Sequence, residues 1–196
     1  MFKRFVLAAA IVSLVSIGTA QAQCHDCSGA SSAALPSAPF SRIGLANEML
    51  DEIGTWLSSN FDLPAIKDRP AIEFVSKTTL ATMRAEERVL SPGFTQDAAL
   101  NERARRPVVA LYDDKLKTIF LADGWTGKSP ADQSVLVHEM VHHIQNLSKR
   151  KFECPMAREK SAYIAQDKWL ERFGTSLEKE FEVDMFTVVV ASACMS

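Results

Sequence analysis

The fold and the chemistry of this chain are decided by one stretch, Ser134-Val135-Leu136-Val137-His138-Glu139-Met140-Val141-His142-His143-Ile144-Gln145. Apolar side chains in and just after this stretch recur at helical spacing. They are Val137, Met140, Val141, Ile144 and Leu147. Such a stripe predicts an amphipathic helix that packs into a core. Ser129 can cap the start of this helix, Pro130 suits its first position, and Asp132 lies in the favourable first turn.

Two histidines, His138 and His142, border the apolar stripe four residues apart. On an α-helix this spacing places both imidazoles on one face, so both rings can bind a single metal ion. The pattern His-Glu-x-x-His is a zinc-hydrolase signature, in which the glutamate takes a proton from water that the metal has acidified. The stretch therefore predicts a zinc site with Glu139 as general base.

Residues 1–22 have the three regions of a secretory signal peptide. Lys3 and Arg4 precede an apolar run at 5–17, and Ala20-Gln21-Ala22 suits a cleavage site. The alternative is a retained membrane anchor, but the apolar run is shorter than the ~20 residues of a spanning helix. We expect an exported protein, periplasmic or extracellular, with no stable membrane insertion after cleavage.

The remainder has the composition of one globular domain, because 47 % of the 196 residues are hydrophobic and 23 % are charged. Residues 23–39, rich in Ser, Ala, Gly and Pro, predict a flexible N-terminal segment, and residues 40–196 predict the domain. Loss of Lys3 and Arg4 with the signal changes the formal charge from −2 to −4. Such mild acidity predicts no nucleic-acid partner.

All four cysteines lie beyond the signal peptide, where oxidation is the default. Four cysteines allow three connectivities. We predict a Cys154–Cys194 bridge, which would tie the C-terminal helix to the start of the helix after the zinc motif. We also predict a local Cys24–Cys27 bridge, for which a metal site or a redox pair is the alternative.

Periodicity predicts further helices and strands around the zinc helix. The predicted helices are 43–60, 77–88, 155–173 and 175–190, and the predicted strands are 71–75, 108–112 and 117–121. Residues 113–116 look like a hairpin turn, and residues 91–106 look like an irregular or partly helical surface segment. Gly174 is expected to stop one helix, and Thr175 with Glu178 predicts a capping box at the start of the last.

A catalytic zinc ion takes three protein ligands, so one more is needed after His142. The candidates are His143, Glu153, Cys154, Glu159 and Glu171. His143 points away from the pair on a helix, which indicates a surface or supporting residue. Glu159 lies near the start of the following helix, on a face that must turn toward the core. A carboxylate on such a face needs a partner such as zinc.

His138-Glu139-Met140-Val141-His142 followed by Glu159-Lys160-Ser161-Ala162 resembles the gluzincin group of zinc metallopeptidases, and most closely their small exported bacterial members. The resemblance implies an α+β, zincin-like fold, with a small mixed or antiparallel sheet, an active-site helix and two following helices. It implies that His138, His142 and Glu159 hold one zinc ion. It also implies that residues 117–121 form an edge strand, which pairs with an extended peptide substrate.

One position departs from the gluzincin pattern. Larger members place an acidic residue four positions after the ligand glutamate, where it orients the first histidine, and here that position is Tyr163. Support for His138 must then come from elsewhere, for example from a backbone carbonyl. Tyr163 and His143 are candidates for the group that stabilises the oxyanion. The plainer interpretations are a buried core tyrosine and a solvent-facing histidine.

The function that the resemblance implies is an exported zinc-dependent peptidase acting on a peptide or protein substrate. Glu139 would act as general base and later as proton donor. One alternative is a zinc-bound pseudo-enzyme or binding protein, which keeps the fold without useful turnover. Another is a zinc hydrolase that acts on a carbonyl compound other than a peptide. The presence of Glu139 favours an enzyme, because a structural zinc site needs no base beside it.

Overall fold

The structure is a computed structural model that describes residues 39–61, 63–65, 67–90 and 108–194. Several expectations concern residues outside these ranges. They are the signal peptide at 1–22, the flexible segment at 23–39 apart from Pro39, the Cys24–Cys27 bridge, and the surface segment at 91–106.

The described part of the chain has an α+β architecture with six helices and three strands. In chain order they are α1 (Pro39–Asn60), β1 (Ala71–Val75), α2 (Lys77–Leu90), β2 (Ala110–Asp113), β3 (Thr118–Ala122), α3 (Pro130–Leu147), α4 (Ala157–Glu171), α5 (Leu177–Phe181) and α6 (Met185–Ala191). The bounds of β1 are as predicted, and the other predicted elements up to α4 are found with their ends shifted by a few residues. None of the helices described combines the length and the apolar character that a membrane crossing requires.

The sheet is mixed, with the strand order β1-β3-β2. β3 pairs in parallel with β1 and antiparallel with β2, so it is the central strand. The prediction that residues 117–121 form a substrate-pairing edge strand is therefore wrong. All five residues of β3 are buried, without the alternation of a strand that has one solvated face. This absence of alternation is typical of a strand covered on both faces.

Two layers of helix cover the two faces of the sheet. Ile119 and Leu121 of β3 face the larger core, which α1, α3 and α4 complete. Phe120 and Ala122 face the opposite side, where Leu80 of α2 packs. The largest fully buried side chains of the larger core include Leu50, Ile53, Leu57, Leu136, Ile144 and Trp169.

Helix α3 begins as the sequence predicts and is more deeply buried than expected. The Ser129 hydroxyl accepts a hydrogen bond from the Asp132 N–H at 3.0 Å, and Pro130 is the first residue of the helix. The Trp125 indole donates to the Asp132 carbonyl at 2.7 Å. Every residue from Ser134 to Gln145 is buried, so the helix lies inside the domain rather than against it with one apolar stripe.

The end of the chain differs from the prediction. Three helices follow α3 instead of two, because the expected helix at 175–190 is divided into α5 and α6. The capping box at Thr175 is also wrong, since the Ser176 hydroxyl caps α5 by accepting from the Lys179 N–H. Glu182 ends α5 in the left-handed conformation, with φ of 55°, and Asp184 caps α6. Asp184 is a helix-start signal for α6 that hydrophobic periodicity does not reveal.

The predicted Cys154–Cys194 disulfide is confirmed, with a sequence separation of 40 residues. It ties the C-terminal end of α6 to the segment that leads into α4. Replacing both cysteines by alanine is expected to lower the free energy of unfolding by about 4 kcal/mol, because the unfolded chain then regains the freedom of a loop of this length. Urea denaturation measures the change. A loss below about 1 kcal/mol would show that the bridge adds little constraint.

Candidate metal centre

Three side chains from two helices converge on one point. His138 and His142 extend from α3, and their Nε2 atoms lie 3.1 Å apart. Glu159, in the first turn of α4, places one carboxylate oxygen 3.5 Å from Nε2 of His138 and the other 3.3 Å from Nε2 of His142. Within the described residues, this is the group of His, Cys, Asp and Glu side chains close enough to hold a metal ion.

The spacing of these donor atoms suits a tetrahedral metal ion. With ligand distances of about 2.0–2.2 Å, the edges of a tetrahedron around zinc are about 3.3–3.6 Å long. The two Nε2 atoms are 3.1 Å apart, and each lies 3.3–3.5 Å from one of the two Glu159 oxygens, so small side-chain adjustments reach this range. Two imidazoles and one carboxylate are also a ligand set of catalytic zinc sites. The residues present therefore fit a zinc ion.

The other candidates for the third ligand lie elsewhere. Glu153 is exposed, and Cys154 is consumed by the disulfide. Glu171 forms an ion pair with a lysine of its own helix at 2.7 Å. Glu159 is thus the candidate that the packing of α4 along α3 brings to the histidine pair.

The electrostatics of the cluster favour a positive charge. Burial lowers the pKa of His142, but the Glu159 carboxylate beside it acts in the opposite direction, and the net pKa lies above its ordinary value. The charge of Glu139 adds to this rise. The cluster of His138, His142 and Glu159 therefore favours a cation among its donor atoms, which is the charge that a metal ion would supply.

A family model matches residues 44–196. The chain belongs to the DUF6647 family, described as a domain of unknown function. No curated protein and no solved structure matches the chain. The matched part of this DUF6647 domain contains the three clustered side chains, Glu139 and both cysteines of the confirmed disulfide.

Two buried glutamines of the DUF6647 domain support the histidines, and the sequence argument missed both roles. Nδ1 of His138 lies 3.1 Å from Oε1 of Gln166, and Nδ1 of His142 lies 3.0 Å from Oε1 of Gln145. Gln166 takes the place of the backbone carbonyl suggested for His138. Helical spacing could have indicated both roles, because Gln145 is three residues after His142 and Gln166 is seven residues after Glu159.

Arg158 connects the hairpin of the DUF6647 domain to the cluster. Its guanidinium forms two hydrogen bonds with the Asp114 carboxylate, at 2.6 and 2.9 Å. Its Nε lies 3.2 Å from Nδ1 of His142, on the side of the ring that faces away from Glu159. Since the sequence separation of Arg158 and Asp114 is 44 residues, no local pattern could have indicated this pair.

Tyr163 lies beside the cluster and not in the core. Its side chain is half-buried, and its ring packs edge to face on His138 with the centroids 4.5 Å apart. The interpretation of Tyr163 as a buried core tyrosine is therefore wrong.

His143 is fully buried, so the prediction of a solvent-facing ring is wrong. Its Nε2 lies 2.8 Å from the Asp68 carbonyl, which can only accept, so Nε2 carries the hydrogen. Nδ1 then accepts from the Tyr112 hydroxyl at 2.9 Å. Burial lowers the pKa of His143 and raises the pKa of Tyr112. Both groups stay neutral and anchor α3 to the sheet.

Replacing Tyr112 by phenylalanine is expected to lower the free energy of unfolding by about 1–3 kcal/mol. The change leaves Nδ1 of His143 without its donor and removes the oxygen that accepts from Asn146 at 3.0 Å. The zinc content should not change, because neither group belongs to the cluster. Urea denaturation and metal analysis test this. A stability within about 0.5 kcal/mol of wild type would contradict the prediction.

Proposed function

We propose that this DUF6647 chain is an exported zinc-dependent peptidase of gluzincin type with a zincin-like fold. The observation that carries the proposal is the convergence of His138, His142 and Glu159, together with Glu139, which is next to His138 in the chain and whose charge acts on His142. Three protein ligands leave a coordination position open for chemistry. A structural zinc site would instead have four ligands, mostly cysteine and histidine.

Glu139 has the properties of a general base. Its side chain is 8 % exposed, and its carboxylate forms no hydrogen bond or ion pair with any residue that the structure describes. Its charge nevertheless acts on His142 and raises the pKa of that ring, so the carboxylate lies within electrostatic reach of the cluster. A buried carboxylate beside such a group, without a structural partner among the described residues, is suited to proton transfer.

The proposed reaction assigns a role to each of these groups. A bound zinc ion would supply Lewis acidity, which makes water more acidic and polarises a substrate carbonyl. Glu139 accepts a proton from water as the water oxygen bonds to the carbonyl carbon. Glu139 then donates this proton to the amide nitrogen as the carbon–nitrogen bond breaks, so that the products are a carboxyl group and an amine.

Tyr163 is the better candidate for the donor that stabilises the developing oxyanion. It is half-buried and lies against His138 at the edge of the cluster. His143 is enclosed between Tyr112 and the Asp68 carbonyl, and both of its ring nitrogens are engaged there. A group that stabilises charge on a substrate must reach it, which favours Tyr163.

Two further parts of the proposal, export and the peptide substrate, are supported by other observations. The Cys154–Cys194 disulfide supports export, because such bonds persist in oxidising compartments. The peptide as substrate is supported by the resemblance of the His-Glu-x-x-His motif and Glu159 to gluzincins. β3 cannot supply the strand for peptide addition, because it is paired on both sides.

The proposal is tested with the mature protein, its zinc content measured, and a mixed peptide library. We expect about one zinc ion per chain and cleavage of some peptides, which a chelator should abolish and added zinc restore. Free zinc at 100 times its dissociation constant should also stabilise the fold by about 2.7 kcal/mol, measured as a higher melting temperature. Zinc-loaded protein that cleaves no peptide would favour the zinc-bound binding protein instead.

A further inference from the structure

We infer that Gln166 is a positioning residue of the metal centre. Its amide oxygen holds His138 in the tautomer that carries hydrogen on Nδ1, so that the Nε2 lone pair of this ring faces the metal position before any metal binds. The inference rests on the metal centre of the proposed function and not on peptide hydrolysis. It follows from the direction of the hydrogen bonds behind the two histidines.

The first chain of hydrogen bonds begins at the Ala131 carbonyl, which can only accept. The Ser134 hydroxyl donates to the Ala131 carbonyl at 2.9 Å, so its oxygen is left to accept from elsewhere. The Gln166 amide nitrogen donates to this oxygen at 3.2 Å. The amide oxygen must then point at His138, whose Nδ1 lies 3.1 Å away and has to be the donor.

The second chain, behind His142, differs. The Gln145 amide nitrogen donates to the Arg158 carbonyl at 3.0 Å and to the Ser161 hydroxyl at 2.7 Å, so its amide oxygen points at Nδ1 of His142, 3.0 Å away. The Arg158 Nε–H donates to the same nitrogen at 3.2 Å. Since Nδ1 of His142 faces both an acceptor and a donor, Gln145 does not set its tautomer, and the inference is confined to His138.

The first chain prepares His138 for a cation. Its Nε2 lone pair faces the Nε2 of His142, 3.1 Å away, and the Glu159 carboxylate completes the group. Gln166 is only 4 % exposed, so water does not compete for its amide oxygen. Partners behind metal-binding histidines set the tautomer and contribute to metal affinity. Here a neutral amide has that role behind His138.

Zinc affinity tests the inference, measured by competition with a coloured chelator. Gln166→Leu removes the acceptor at similar volume and is expected to weaken zinc binding about 10- to 100-fold. Gln166→Glu keeps an acceptor oxygen and should retain the affinity. Gln133→Leu is the matched control, because the side chain of that α3 glutamine bonds only the Gly127 carbonyl among the described residues, at 3.3 Å and away from the histidines.

Nitrogen NMR of the ring atoms, on metal-free protein at alkaline pH, adds a measurement that a loss of stability alone would not change. In the wild type, His138 should carry hydrogen on Nδ1. Gln166→Leu should release this tautomer, and Gln133→Leu should keep it. If Gln166→Leu does not fold, Gln166→Glu and the wild-type tautomer still test the inference.

Two results would overturn the inference: a Gln166→Leu variant that binds zinc as tightly as the wild type, or a wild-type His138 ring that carries hydrogen on Nε2. Peptide cleavage is not among these measurements. A wild-type protein that binds zinc with His138 in the Nδ1–H tautomer, yet cleaves no peptide, would contradict the proposed hydrolysis and leave the role of Gln166 intact.

Discussion

Replacing Glu139 by glutamine is expected to reduce peptide cleavage by about 10²- to 10⁴-fold while zinc stays bound. The amide has nearly the size and shape of the carboxylate, so α3 and the positions of His138 and His142 should not change. It cannot accept a proton from the attacking water, however, and this step is the one assigned to Glu139. Loss of rate without loss of metal is therefore the signature of a general base.

The measurement is kcat/KM on a peptide found in the library, together with zinc per chain. Glu153→Gln is the matched control, because Glu153 is an exposed glutamate outside the cluster, and it should behave as wild type. A Glu139→Gln variant that cleaves at the wild-type rate would reject Glu139 as the base. A variant that loses zinc would show that Glu139 supports the ion instead.

Replacing Glu159 by alanine is expected to have the largest effect on metal binding. It removes one of the three donor groups and the only carboxylate within 3.5 Å of the two Nε2 atoms in the described part of the chain. Zinc affinity should fall by more than the ~100-fold that loss of a supporting partner costs. The variant should then no longer be stabilised by added zinc.

Zinc per chain after dialysis, and the melting temperature with and without zinc, test this prediction. Glu153→Ala is the control, since Glu153 was also a candidate for the third ligand from the sequence but is exposed and outside the cluster. An unchanged zinc content in Glu159→Ala would reject Glu159 as a ligand. Retained zinc in the control and loss in the variant would support the assignment.

Sequence alone was informative wherever the determining interactions are local. Helical spacing brought His138 and His142 to one face, the cap at Ser129 set the start of α3, and alternation located β1. Each of these features depends on residues within one or two turns of helix or one strand. Glu159 was also found, because a carboxylate on the inward face of the next helix has few other ways to be satisfied.

The prediction of a single C-terminal helix was wrong, because several weak local signals compete in that segment. Periodicity favoured one helix over residues 175–190, but the left-handed Glu182 and the cap at Asp184 divide it into α5 and α6. A few apolar residues at helical spacing do not outweigh a strong stop followed by a strong start. The boundary between α5 and α6 could thus have been predicted from the cap residue Asp184, and not from the hydrophobic periodicity.

By itself the sequence predicted the face of α3 that carries His138 and His142, the position of Glu139 next to them and the α+β class, because these follow from the spacing of neighbouring side chains. Only the tertiary structure decided that β3 is central, that His143 is buried against Tyr112, and that Gln166 stands behind His138. The physical reason is that strand order and contacts between helices depend on how distant segments pack. A linear pattern carries little information about which distant partner a buried polar group will find.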